Sequence, residues 1–249
     1  MIGNLAFLMV STAMALVAPS PVEEQKTDGE LFAPLPKPGT LSINKDRGEV
    51  ILHATVQHPL GKPCIGDWGQ RIQAFVGCSK AAGADATMSG YFVFLVDVPT
   101  EEVYDALIRL GAKPRVHYSM QAGKKRSGLK PDTKPEDYLQ GDPVLLSVFW
   151  KEGDHWIERA YQDFVMERVL VDGKPVEKPW TPSFVFHGSG AIHKSGTGCI
   201  ACPCDCAGGI IADNRYPIYD PKPIVRFDLG KAPPPQASVY IRIRPLSSR

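Results

Sequence analysis

The segment GTGCIACPCDCAGG, residues 196–209, carries Cys199, Cys202, Cys204 and Cys206 within eight consecutive positions. Thiols this close together do one of three things: converge on a soft metal ion or cluster, cross-link, or exchange electrons as a redox pair. Gly196, Gly198, Gly208 and Gly209 supply the backbone freedom that wrapping an ion requires. Pro203 drives Cys202 toward extended geometry and fixes part of that path in advance. The CxxC at 199–202 is a zinc and iron–sulfur spacing, whereas the CPCDC that follows is tighter than the CxxCxxCxxxCP of ferredoxins.

Two local disulfides are a poor alternative, because a Cys204–Cys206 bridge would join i to i+2 with a strained torsion. A better one links the run outward to Cys64 and Cys78, the other members of an even set of six. Spacing alone does not choose among the connectivities that six cysteines allow. The ligand set expected for a metal is Cys199, Cys202, Cys204 and Cys206, joined by His193 from the same glycine-rich segment. His187 stands as an alternative ligand or outer donor. Lys194 and Arg215 are placed to offset the negative charge of a tetrathiolate. Zinc would make this a closed structural site and an iron–sulfur cluster an electron carrier. Copper(I) would suit the CxC spacing with fewer thiolates. An iron–sulfur cluster is the leading expectation, with zinc, copper or no cofactor as alternatives.

Other chemistry finds less support. GSGAIHKSGTG lacks the GxxxxGK[ST] pattern, and no clear helix follows to present its N-terminus to a phosphate. Ser189, in HGSGA, does not sit in a GxSxG elbow. Asp163 and Asp213 are single carboxylates that read as structural or solvent-facing. Trp68, Trp150, Trp156 and Trp180, with Tyr161 and Phe164, read as sheet core. No catalytic residue is assigned, and the expectation is a carrier or binding protein.

The elements that must position the run are mostly strands. Apolar or alternating stretches occur at 49–56, 71–78, 90–98, 143–150, 158–166, 182–190 and 237–245. The clearest helix, about 100–110, has Thr100 as N-cap and acidic Glu101 and Glu102 in its first turn. Val103, Ala106, Leu107 and Leu110 form one face, and Gly111 and Pro114 end it. VLVDGKPV (169–176) is a hairpin turning at Asp172-Gly173. The Pro-rich 209–228 reads as loop and edge strand over a sheet end. This predicts an α+β fold: a mostly antiparallel β-sheet with one principal helix and the Cys-rich loop 196–209 near the C-terminal end.

A chain of 249 residues, 43% hydrophobic and 22% charged, can bury a sizeable core. A net charge of +1 gives no electrostatic reason to expect nucleic acid or an acidic membrane surface. The first twenty residues lack any charged side chain and carry an apolar run of signal-sequence length, which predicts a signal peptide or N-terminal anchor over 1–20. Residues 21–40 read as a Pro-rich tether and 41–249 as a single domain. The expected location is periplasmic or extracellular, with membrane contact only through an uncleaved N-terminus. The expected partner is a protein that exchanges electrons or metal.

Three stretches in order, DVPTEEVYDALIRLGAKP (97–114), PVLLSVFW (143–150) and WTPSFVFHGSG (180–190), resemble the YdjY-like domain family of bacterial exported proteins. The resemblance covers about residues 41–246. Some members are described as ferredoxin-like, which implies an iron–sulfur role for Cys199, Cys202, Cys204 and Cys206. The competing expectation is a disulfide-stabilised, non-catalytic module that acts through a protein-interaction surface.

Overall fold

The computed structural model describes residues 34–57, 74–78, 92–115, 140–192, 198–202, 208–215 and 224–246. The N-terminal segment read as leader and tether, up to residue 33, lies outside them, as do Cys64, Trp68, His193, Lys194, Cys204 and Cys206.

Alternating apolar side chains build the frame. In β2 (Glu49–Val56), Val50, Leu52, Ala54 and Val56 are buried on one face. β6 (Gln140–Glu152) contributes Val144, Leu146, Val148 and Trp150, and β14 (Ser238–Pro245) contributes Val239, Ile241 and Ile243. β14 lies between β2 and β6, antiparallel to both. The remaining strands are β1 (Leu41–Asn44), β3 (Ala74–Cys78), β4 (Phe92–Val96), β5 (Pro114–Arg115), β7 (His155–Ala160), β8 (Val165–Val171), β9 (Lys174–Pro179), β10 (Phe184–Phe186), β11 (Cys199–Cys202), β12 (Ile211–Asp213) and β13 (Ile224–Phe227). The main sheet runs β1-β2-β14-β6-β10-β12-β11-β3-β4, with β5 and β7 also paired to β6. A short β2–β4 ladder curls it into a half-barrel. β13, β8 and β9 form a second, three-stranded sheet.

The fold is therefore mostly β, and the α+β expectation is corrected. Among the described residues there are two α-helices, α1 (Thr100–Arg109) and the single turn α2 (Ser189–Ile192). One ten-residue helix packed on β2 and β11 does not make a layer. Two further readings change for local reasons. The 158–166 stretch is not one strand: a 3-10 turn, Tyr161–Phe164, breaks it and sends β8 into the second sheet. β12, read as part of a loop and edge region, is an inner strand between β10 and β11.

The core is one aliphatic and aromatic body. Phe94 meets Tyr161, Phe164 and Phe227 edge-on, while Phe164 and Phe227 stack at 5.6 Å. Each such side chain contributes about 1.5–3 kcal/mol by leaving water. α1 adds Val103, Ala106 and Leu107. Its cap is Pro99 without a side-chain hydrogen bond, and Thr100, expected as the cap, is the first helical residue, so the helix starts one position earlier than expected. Asp172 and Gly173 both take positive φ, 50° and 76°, the turn that two-residue hairpins favour.

The opposite face of the central strands carries charge. Glu49 is fully buried, ion-paired with Arg242 at 3.2 Å, and accepts a hydrogen bond from Arg244 at 3.0 Å. Arg242 also pairs with Glu158, which accepts from Ser147 Oγ at 2.6 Å. The Arg242 guanidinium lies 4.8 Å over the Phe149 ring.

Candidate functional site

β11 holds the first two cysteines of the run. The correction to the fold reaches this point directly: CIAC, read as the start of a loop, is strand, antiparallel to β3 and parallel to β12. In a regular strand, residues three apart point to opposite faces. Here Cys199 stands opposite Gly77 and Ala201 opposite Val76, so Ile200 is an extra residue on β11. That bulge resets the alternation and puts Cys199 and Cys202 on the same face. The two cysteines stand 4.3 Å apart and are 3% and 5% exposed.

Cys199 donates its S–H to the Ala201 carbonyl at 3.3 Å. Tyr161, itself fully buried, lies within electrostatic reach of both sulfurs. Its phenol is held well above its ordinary range, first by burial and then by the negative charge that Cys199 and Cys202 can carry.

Glycines let the chain close over the pair. The Gly190 amide donates to the Gly209 carbonyl at 2.7 Å, and a side chain at Gly190 would meet the Gly208 and Gly209 carbonyl oxygens at 2.4 and 2.5 Å. A Cβ on Gly209 would sit 3.4 Å from Cys199 Cβ. The GSG at 188–190 and the GG at 208–209 are thus two halves of one close backbone approach beside the cysteine strand. β11 and β12 are parallel neighbours joined through residues 203–210, fewer than a parallel crossover ordinarily needs. The join stays short because β12 re-enters at Ile211, level with Ala201, so little of the strand is retraced.

The other expected residues fall into three groups. His187 is buried, with its amide bonded to the Ile210 carbonyl and its Nδ1 accepting from the Ser189 amide at 3.1 Å. That bond assigns the proton of the neutral ring to Nε2. Arg215 makes a fork to Asp213, with its shortest contact 2.9 Å, and reaches Glu167 at 3.5 Å. Glu167 is fully buried and is also met by Lys178 at 3.6 Å. Asp213, read as a lone carboxylate, therefore belongs to a buried ionic group and also accepts from the Ser183 amide. Cys78 ends β3, level with Val96 and one residue past the Gly77 that faces Cys199. Among the described residues, no group of three or more His, Cys, Asp or Glu side chains gathers as a ready metal site.

Reading the sequence missed Ile200 and Tyr161 as parts of this site. A bulge is set by the partner strand, so nothing within CIAC announces it. Tyr161 reaches the thiols only because the chain breaks into a 3-10 turn there.

Compared with known proteins, the chain matches no curated protein and no solved structure. Residues 41–244 match the YdjY domain. That span begins with β1 and stops one residue short of the end of β14, so it takes in every described strand. The chain belongs to the YdjY domain family.

Proposed function

We propose that this is an exported metal-binding protein that carries electrons or handles metal, with its centre built on the Cys199–Cys202 strand. The observation that carries the reading is the bulge: it gathers Cys199 and Cys202, both buried, on one face, the two residues 4.3 Å apart. Two sulfurs sharing a tetrahedral ion at about 2.3 Å each stand about 3.8 Å apart, a spacing within reach of two cysteines this close on one face. Cys204 and Cys206 follow Cys202 by two and four residues, at about 3.8 Å per Cα step, and supply the remaining thiolates. A bound metal would hold these cysteines deprotonated and, as an iron–sulfur cluster, would pass single electrons. The protein's own contribution is to exclude water, through the closely packed glycines, and to set the polarity around the sulfurs.

The deciding experiment is metal and sulfide analysis with an ultraviolet–visible spectrum on protein purified without air, beside a variant carrying Ser at 199, 202, 204 and 206. Iron with sulfide and a broad visible absorption, both lost in the variant, makes the protein an electron carrier. Zinc or copper alone makes it a structural or metal-handling protein. Metal-free protein with every cysteine in a disulfide overturns the reading and leaves a stapled binding module.

A further inference from the structure

We infer that Cys199 and Cys202 form a thiol–disulfide couple, and that closing the bond between them expels the metal. The second half rests on the metal-binding reading above. The couple itself rests on the geometry of the pair.

In a regular strand, residues three apart are about 10 Å from each other on opposite faces, beyond any disulfide. The extra Ile200 removes both obstacles, leaving Cys199 and Cys202 on one face and 4.3 Å apart. Bonded sulfurs are about 2.05 Å apart, so closure needs side-chain rotation and a modest backbone shift. The bulge is where β11 gives most readily. Ile200 has no opposite residue on β3, and the ladder to β12 begins only at Ala201. Cys202 is anchored beside Ala212 on β12, whereas that ladder does not extend to Cys199. The Cys199 hydrogen bond to Ala201 stays inside the bulge.

The step balances with a small disulfide as oxidant. One cysteine attacks a sulfur of that disulfide, forming a mixed disulfide and releasing one small thiol. The other cysteine then attacks the protein sulfur, the Cys199–Cys202 bond closes, and the second small thiol leaves. Two electrons pass from the pair to the oxidant, and both cysteine protons end on the released thiols. When metal is bound, the thiolates surrender it and water provides those two protons.

The test uses the full chain with Cys204→Ser and Cys206→Ser, freed of metal, equilibrated over a range of oxidised-to-reduced glutathione ratios. It is then alkylated and cut with trypsin. Lys194 and Arg215 bound a single peptide that contains both cysteines. As the ratio rises, that peptide is expected to appear with neither alkyl group, two hydrogens lighter than the free dithiol, and with no link to another peptide. Cys199→Ser in the same background should show one alkylated or glutathione-capped cysteine instead. Fragmenting the wild-type peptide between Cys202 and Cys204 asks the same question without the serine changes. A persistent glutathione adduct, or a link to the peptide carrying Cys64 or Cys78, overturns the couple. Wild-type protein loaded with zinc alone should release it as the ratio rises. If the peptide closes in a protein that never binds metal, the couple stands and the metal reading falls. If metal binds and the peptide never closes, the reverse holds.

Discussion

Gly190 donates its amide to the carbonyl of Gly209 at 2.7 Å, fastening α2 to the chain that leaves the cysteine run. The contact leaves no room for a Cβ, which would meet two carbonyl oxygens at 2.4 and 2.5 Å, and backbone cannot swing aside as a side chain would. Gly190→Ala should therefore lower unfolding stability by about 1–3 kcal/mol or more and also reduce the metal retained on purification. Gly111→Ala is the comparison. Nothing lies within 4 Å of its Cβ position, but φ is +86°, so it should cost about 1–2 kcal/mol and leave metal content unchanged. Denaturant unfolding with metal analysis separates the two. Equal metal content in both variants would refute a role for this contact at the thiol site.

The bulge can be tested without changing composition. The double change Ala201→Cys with Cys202→Ala keeps the cysteine count but moves one thiol to the opposite face of β11. Both positions are buried and the volumes are similar, so the fold should survive. Metal affinity should fall about tenfold or more, at least what losing an outer-shell partner costs. Competition with a chelator measures it. Unchanged affinity would show that face does not matter and that the run binds as a loop.

Arg242 joins two acidic residues on the outer face, and one of them, Glu49, is wholly buried. Arg242→Met should destabilise by about 3–5 kcal/mol, because Glu49 keeps only Arg244 and Glu158 keeps only Ser147 among the partners named here. The loss should be nearly the same at low and high salt, since ions do not screen a buried pair. Arg168, paired with Glu177 at 47% and 37% exposure, should lose less than about 1 kcal/mol on the same change. Urea midpoints at two ionic strengths decide the matter. Arg242→Met matching Arg168→Met would mean the buried network contributes little.

Much of the frame is legible in the chain, and the reasons show where legibility ends. EVILHATV alternates strictly enough to name β2 to the residue, and Asp172-Gly173 names its own turn. These signals are local. The pairing of Glu49 with Arg244 spans 195 residues, and only the β2–β14–β6 order brings it about. Ile200 is extra only relative to β3, and Tyr161 meets the cysteines only through a turn that a β-like stretch hides. The thiols were conspicuous as residue types. Their shared face was not, because it depends on a neighbour more than a hundred positions away.

Tyr161 makes a pH-dependent prediction whose sign follows from its surroundings. Burial, and then the nearby Cys199 and Cys202, hold its phenol well above the ordinary value of about 10. Below that value both folded and unfolded chains keep the proton, so the contribution is constant. Above it the unfolded chain releases the proton while the folded chain retains it, and stability falls by about 1.4 kcal/mol per pH unit. Tyr104 and Tyr240 are also raised by burial and add to the slope, so the informative quantity is wild type minus Tyr161→Phe. That difference should be flat from about pH 8 to about pH 10 and then fall as pH rises further. Denaturant midpoints across this range measure it, with absorbance following tyrosinate. Because burial outweighs the thiols, replacing Cys199 and Cys202 together by Ser should leave most of the slope in place. A difference that stays flat above pH 10 would mean that water reaches the hydroxyl, and a slope abolished by the serine changes would mean that the thiols dominate.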